Sequence, residues 1–313
     1  MANCALCLKE KQLCQSHLKP QILSNWIKDT SFTGYLRQPI NIGKRLQDGF
    51  KKELLCSECE NIFSGFEREF ANKIFYPYVK EELDSTGNAQ GKVMEFIYEE
   101  WLTKFLISLS WRILIVNKEV KGVNSRVEGY SQKFKKKADD FLEQWRLYLL
   151  GESNYFGKCD IHLMFFQNMI YGEGSLPNNI HPRVNEYLLR SFDTTTIYKH
   201  NGFGTYSKLA PIISFISLIP DIITDSQDSR VYKKGRIKVH QRLGNVILND
   251  FVLVKRPSEF MHLMEQMPKS QVDKLEKQVL ENLDDYNNTL TSVAHYSDFI
   301  LQEKLKDNND FKF

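Results

Sequence analysis

Two cysteine pairs near the start of the chain have the spacing of metal ligands. Each pair is a C-x2-C motif, and together they contain Cys4, Cys7, Cys56 and Cys59. A C-x2-C turn presents two thiolates on one side of the chain, so two such turns can supply the sulfur ligands of a tetrahedral zinc ion. Unrelated buried cysteines are the alternative, which the clustering of five of the six cysteines in the first sixty residues disfavours. We expect these residues to hold a structural Zn²⁺.

A histidine lies between the two pairs, in the segment 16–20 (Ser-His-Leu-Lys-Pro). A neutral imidazole near pH 7 is a competent base, so His17 is a candidate to activate water against a phosphodiester. A rival interpretation groups Cys4, Cys7, Cys14 and His17 as a Cys3His zinc site, which leaves no base and no role for the second cysteine pair. A third interpretation is that His17 only caps a turn or pairs in the core.

The second cysteine pair leads directly into an amphipathic segment, residues 60–75. Its apolar residues recur at helical spacing and should face the core: Phe63, Phe66, Phe70 and Ile74. The opposite face is polar and carries Glu60, Asn61, Ser64, Glu67 and Arg68. A helix here would present carboxylates and an amide beside the cysteine module.

The order of these motifs resembles that of the HNH endonucleases, the zinc-containing branch of the ββα-metal fold. In that family a C-x2-C pair precedes a strand that contains the histidine, and a second pair precedes a helix; residues 4–75 follow this order. The resemblance implies a treble-clef zinc module, a catalytic Mg²⁺ or Mn²⁺, and hydrolysis of phosphodiester bonds in DNA or RNA. It also implies that His17 is the general base and that Asn61 holds its ring.

Several residues depart from the family pattern. Ser16 stands where a metal ligand often precedes the histidine, and Glu60 stands where a histidine often follows the second pair. The helix has no counterpart of the last family histidine, so carboxylates would have to hold magnesium, with Glu67 ahead of Glu60. Residues 18–55 form a longer insert than is usual in the family.

The charge of the chain permits a nucleic-acid partner without predicting one, since the net charge is only +3. The best basic candidate is the segment 233–242, where basic and apolar residues alternate. On a strand, Lys234, Arg236 and Lys238 would share one positive face. A second basic run, residues 132–137, is more typical of a solvated helix face.

Some classes of protein are disfavoured by what the sequence lacks. The first residues do not have the basic and then apolar pattern of a signal peptide, and no apolar stretch is long enough to span a bilayer. We therefore expect a cytoplasmic protein that has no membrane partner. The sequence contains neither a P-loop nor a G-x-S-x-G motif, which argues against a nucleotide-driven enzyme and an α/β hydrolase.

The expected architecture is α+β, in which residues 1–80 form the zinc module and residues 81–313 form a larger mixed domain that selects a substrate, partner or trigger. We predict helices at 98–117, 127–150 and 270–304, the last of them broken near 287–288. We predict strands at 160–166, 186–198, 204–218 and 236–254, with a turn at 243–245. HNH modules joined to unassigned domains resemble bacterial host-defence and mobile-element nucleases. This analogy predicts an endonuclease, most simply one acting on DNA, that works with a protein activator or as a homo-oligomer. The alternative is a non-catalytic zinc-finger protein that binds nucleic acid or a protein.

Overall fold

The computed structural model describes residues 2–38, 41–119, 132–169, 179–199, 202–219, 227–241 and 249–310. Helices and strands are mixed along these ranges, which confirms the expected α+β class. No helix within them combines the length and the apolar content that a bilayer span requires.

The N-terminal part contains two paired strands that are followed directly by a helix. Its elements are β1 (Ala2–Asn3), β2 (Glu10–Lys11), β3 (Leu13–His17), α1 (Gln21–Asp29), β4 (Leu36–Gln38), β5 (Asn41–Leu46), β6 (Lys51–Cys56) and α2 (Ser57–Phe70). Strand β3 pairs antiparallel with β6, and His17 lies opposite Lys51. The long insert between these strands is itself folded, into α1 and the β4–β5 hairpin. The insert therefore does not prevent the strand–strand–helix order that the motifs indicated.

Helix α2 forms where the apolar spacing predicted it. Glu58 and Glu60 lie in its first turn, where the partial positive charge of the helix N-terminus favours carboxylates. Phe63 and Phe70 are buried, and the ring of Phe70 stacks on Phe105 of the next long helix at a centroid distance of 4.2 Å. The polar face of α2 is thereby turned away from the core.

The larger part of the chain is built around a five-stranded antiparallel sheet in the order β12-β8-β11-β10-β9. Its elements are β7 (Glu95–Tyr98), α3 (Glu100–Glu119), α4 (Gln132–Leu150), β8 (Asp160–Phe165), α5 (Val184–Arg190), β9 (Phe192–Lys199), β10 (Gly202–Leu209), β11 (Ile212–Ile219), β12 (Arg230–Val231), β13 (Gly235–Lys238), α6 (Arg256–Glu265), α7 (Lys269–Glu281), α8 (Leu283–Asn287) and α9 (Leu290–Asp310). Every residue of β10 is buried, because helix α3 covers one face of the sheet. The other face is covered by an apolar cluster that includes Val184, Leu188 and Leu301. Strands β7 and β13 form a separate pair.

The helices predicted in residues 81–313 are found in the structure. Helix α3 matches the segment 98–117, and α4 matches the described portion of 127–150. The C-terminal helix is broken into α7, α8 and α9, with interruptions at Asn282 and Asn288. The asparagines at the breaks agree with the tendency of Asn to leave helical conformation.

Two strand predictions are wrong in part. The segment 186–198 begins as helix α5, and the strand starts only at Phe192. Two N–H groups in the first turn of α5 donate hydrogen bonds to the side chain of Asp298, which is distant in the sequence. The segment 236–254 leaves the strand after Lys238 and includes a π-helical turn, Phe251–Lys255. The turn predicted at 243–245 lies outside the described residues. The segment 160–166 is confirmed as β8, whereas 204–218 is two strands joined at Ala210, which has φ +57°.

The larger of two apolar clusters in the described residues runs from Cys4 to Val239 and so includes both parts of the chain. Three arginines of the larger part also donate to main-chain oxygens of the first 80 residues. Arg146 binds the oxygen of Leu6 at 3.3 Å, and Arg190 binds that of Ile27 at 2.7 Å. The third, Arg112, lies at the candidate site. The division at residue 80 stays a prediction, and the core packs across it.

Candidate functional site

The cysteine pairs meet in one group. The Sγ atoms of Cys4, Cys7, Cys56 and Cys59 all lie within 4.8 Å of one another, and those of Cys7 and Cys56 are 3.9 Å apart. With Zn–S bonds of about 2.3 Å, two sulfurs of a tetrahedral zinc site are separated by about 3.8 Å. The group can therefore hold a structural metal ion such as zinc, as the spacing predicted.

The backbone around this group favours the metal-binding form of one thiol, that of Cys4. Cys56 ends β6, and its N–H points at the Sγ of Cys4 at 3.3 Å. Burial alone would raise the pKa of Cys4, but hydrogen bonds from the backbone of Cys7, Cys56 and Leu6 outweigh it and lower the pKa to about 7. Because the thiolate is the ligand form, these hydrogen bonds prepare Cys4 for a cation. Burial raises the pKa of Cys7 and of Cys59, so these two thiols would lose their protons when the metal binds.

The rival Cys3His site is not assembled. Among the residues that the structure describes, the four cysteines of the C-x2-C pairs form the only group of three or more candidate metal ligands, and it contains neither Cys14 nor His17. Cys14 lies opposite Leu55 within the β3–β6 pair. The imidazole of His17 lies instead beside a carboxylate, that of Asp48. The geometry thus leaves His17 available for another role.

His17 is the last residue of β3, and one side of its ring is enclosed. Its Nδ1 is buried without a hydrogen-bond partner and lies 3.6 Å from Oδ1 of Asp48. Burial lowers the pKa of His17 below its ordinary value, while the negative charge of Asp48 acts in the opposite direction. A lowered pKa keeps the imidazole neutral near pH 7, which is the form that a general base requires.

Arg112 is a residue at the site that the sequence did not reveal. It reaches from α3 with a side chain that is only 3% exposed, and it donates to the main-chain oxygen of His17 at 2.8 Å and to Oε1 of Glu67 at 2.5 Å. Its guanidinium also lies over the ring of Phe63. The sequence predicted only a helix at 98–117, so it gave no sign that this helix would carry a buried cation.

The polar face of α2 brings some of the expected residues to the site. Glu60 and Glu67 are two turns apart on one face of the helix, and both contribute to the electrostatic environment of His17. Glu67 is ion-paired with Arg112, whereas Oε1 of Glu60 is buried without a hydrogen-bond partner. Asn61 is exposed to solvent, and Ser16 is buried with its Oγ accepting from the N–H of Leu55. Ser16 thus has a structural contact in the position where the family often places a metal ligand.

The basic strand is exposed as predicted, but part of its charge is neutralised. Arg236 pairs with Glu95 on the neighbouring strand, and Nζ of Lys238 lies 3.8 Å from Asp228. Lys234, just before β13, is exposed as well. The alternation of side chains on β13 is therefore confirmed, whereas a continuous positive face is not formed.

Comparison of the chain with protein-family models, with curated proteins and with solved structures gave no match.

Proposed function

We propose that this protein is a metal-dependent endonuclease in which His17 is the general base. The observation that carries the proposal is a set of buried polar atoms without hydrogen-bond partners around the end of β3: Nδ1 of His17, Oε1 of Glu60 and Nε of Arg112. Buried polar atoms in folded proteins are nearly always paired, and exceptions often mark a catalytic role or the place of a water or ion. Their grouping beside a histidine supports a reactive site.

The chemistry of these groups fits phosphodiester hydrolysis. His17 takes a proton from a water molecule, whose oxygen then attacks phosphorus and displaces the leaving oxygen of the nucleic-acid backbone. The enclosed ring and the lowered pKa of His17 favour the neutral form that accepts this proton. The four thiolates around a zinc ion would close its coordination shell, so zinc would be structural here.

A magnesium ion would be held by the carboxylates of α2. Mg²⁺ in such sites commonly uses one or two protein carboxylates, and water and substrate phosphate complete its shell, which suits Glu60 and Glu67. Bound there, it would supply charge stabilisation to the phosphate. Glu60 has the oxygen without a partner, whereas Glu67 shares an oxygen with Arg112, so we now place Glu60 ahead of Glu67 as the ligand.

DNA is the proposed substrate, with RNA as the alternative to be tested in the same assay. Lys234, Arg236 and Lys238 would contact the phosphate backbone, although the pairing of Arg236 with Glu95 reduces what this strand can contribute. A host-defence setting, a protein activator and self-association belong to the same proposal and rest on analogy with the HNH plan.

A non-catalytic zinc protein is the second candidate, and one observation favours it. Arg112 is nearly fully buried and binds the main-chain oxygen of His17 and the carboxylate of Glu67, so two of the three expected catalytic residues have structural partners. The cavity beside Arg112 is only about 50 Å³. It is lined by Leu18, Arg112, Ile113, Val116, Asn117 and Thr194. In this second case the protein would bind nucleic acid or a protein without cleaving it.

Substitution of His17 separates the two candidates. If His17 is the base, His17→Ala retains zinc and the folded state but abolishes Mg²⁺-dependent nicking of supercoiled plasmid DNA and of a structured RNA. His262→Ala is the matched control, because His262 is exposed on α6. Equal cleavage by His17→Ala and the control, or loss of zinc with His17→Ala, would contradict the assignment.

A further inference from the structure

We propose that Asp48, and not Asn61, positions the imidazole of His17, holding the proton on Nδ1 so that Nε2 is the nitrogen that meets the attacking water. This inference rests on the nuclease function proposed above and adds a positioning residue to it. Asp48 lies in the connection between β5 and β6, outside the cysteine pairs and the segment 16–20 that contains the histidine.

The placement of the two residues carries the inference. Nδ1 of His17 is buried, and Oδ1 of Asp48 is 3.6 Å away, whereas Asn61 is exposed on α2. Hydrogen bonds of catalytic groups are often long before substrate binds and shorten in the complex. A carboxylate that faces one ring nitrogen fixes the tautomer and the ring orientation and leaves the other nitrogen as the base.

The connection that carries Asp48 is held from both sides. Nζ of Lys28 donates to the main-chain oxygen of Gln47 at 2.8 Å, and the N–H of Leu18 donates to the oxygen of Phe50 at 3.2 Å. Gly49 packs so closely on α1 that an added Cβ would lie 3.1 Å from Oγ of Ser24. These contacts fix the turn next to the strand end that carries the histidine.

Both oxygens of Asp48 are also engaged. Oδ1 accepts the N–H of Gly49 at 2.8 Å, and Oδ2 is paired with Nζ of Lys51 at 2.5 Å. Burial alone would raise the pKa of Asp48, but these two contacts hold it below its ordinary value, so the carboxylate stays charged. A charged Asp48 accepts a hydrogen bond and cannot donate one, so the Nδ1–H tautomer of His17 is the form that can bond to it when the 3.6 Å separation shortens.

The other charged groups around His17 do not replace Asp48. Lys51 disfavours the protonated ring, and Glu60 and Glu67 on α2 favour it more weakly than Asp48 does. Arg112 contacts only the main-chain oxygen of His17. Removal of the Asp48 charge should therefore lower the pKa of His17 further. It should also allow either ring nitrogen to carry the proton of the neutral imidazole.

The test is Asp48→Asn, examined by NMR of the zinc-loaded 313-residue chain labelled with ¹⁵N-histidine. His17 is identified among the seven histidines by its absence in His17→Ala. In the unsubstituted protein we expect the Nδ1–H tautomer. In Asp48→Asn we expect a lower pKa of His17, a changed tautomer ratio, and a kcat for plasmid cleavage reduced at least about 10-fold with KM unchanged.

Two control variants separate positioning from loss of local structure. Lys51→Ala removes the ion pair of Asp48 but leaves its carboxylate, so the Nδ1–H tautomer should persist. Asp29→Asn removes an exposed carboxylate at the end of α1 and should alter none of these readouts. If Lys51→Ala reproduces the effects of Asp48→Asn on the ring, the inference is overturned, because the ion pair and not the carboxylate would orient it.

The NMR readout does not depend on cleavage, so failure of the inference can be told from failure of the proposed function. An unchanged tautomer and pKa of His17 in Asp48→Asn overturn the role of Asp48 even if the protein is a nuclease. A changed tautomer of His17 in a protein whose cleavage is unaffected by His17→Ala overturns the assignment of His17 as the general base, and with it the catalytic role of Asp48.

Discussion

Arg112 donates to Oε1 of Glu67 at 2.5 Å while its other terminal nitrogen holds the main-chain oxygen of His17 at 2.8 Å. One buried cation thus joins α2, the end of β3 and the long helix α3. Since α3 belongs to the larger part of the chain, the packing of that part determines how the candidate base and the α2 carboxylate are held relative to each other.

Removal of Arg112 should be costly for stability. Arg112→Ala leaves Glu67 without its partner in a largely buried setting, and breaking a buried pair from one side typically costs about 3–5 kcal/mol. We expect a loss in this range in the free energy of unfolding, measured by urea denaturation with zinc present. The matched control is Arg236→Ala, which breaks an exposed pair with Glu95 and should cost less than about 1 kcal/mol. Equal losses would show that the Arg112 pair is not a structural link.

The zinc assignment makes a stoichiometric prediction. The variants Cys4→Ser and Cys59→Ser should each lose the bound zinc and be less stable, because these thiols are buried and lie in the four-sulfur group. Serine at Cys14 or Cys159 should leave one zinc per chain. Elemental analysis of each purified variant provides the measurement. Loss of zinc with Cys14→Ser would instead favour the Cys3His interpretation.

The sequence predicted those parts of the site whose signals are local. The C-x2-C turns and the apolar spacing of α2 specify their own geometry, so the cysteine group and the helix appear where they were expected. The sequence did not place Arg112 and Asp48 at the site, because their roles depend on tertiary contacts. An Asp-Gly pair such as Asp48 with Gly49 indicates only a turn, and the approach of Asp48 to His17 depends on how the insert folds.

The same reason explains the error at α5. The segment 186–198 contains Thr and Ile residues that favour strand, and these do form β9. Its first residues are helical because the side-chain carboxyl group of Asp298, 112 residues away, accepts the N–H of Glu186 at 2.9 Å. A cap supplied from such a distance leaves no pattern near the helix that it stabilises.

Glu60 should control the response to magnesium if it is a ligand of the catalytic ion. Glu60→Gln removes a charged oxygen from the site, so we expect the Mg²⁺ concentration for half-maximal plasmid cleavage to rise at least about 10-fold. Glu58→Gln is the control. Glu58 precedes Glu60 by two residues, but its side chain is 74% exposed and pairs with Lys11. An identical Mg²⁺ response in the two variants would exclude Glu60 as a ligand and leave Glu67 to be tested in the same way.

Asp298 should make stability depend on pH, with a sign that identifies its charge state. Burial raises the pKa of Asp298 to about 7, against about 3.9 for an aspartate in the unfolded chain. Between these values the folded state binds one more proton than the unfolded state. The free energy of unfolding contributed by Asp298 is therefore greatest near pH 4 and falls towards pH 7, by up to about 1.4 kcal/mol per pH unit.

Asp298→Asn isolates this effect, because it keeps the shape of the side chain and removes the titration. The difference in unfolding free energy between the unsubstituted protein and Asp298→Asn, measured in urea at pH 4.5, 6 and 7.5, should become smaller as the pH rises. Two backbone N–H groups of α5 donate to this carboxyl and favour its ionised form. If they outweigh burial, the difference will instead grow with pH, and Asp298 will have been acting as a charged cap of α5.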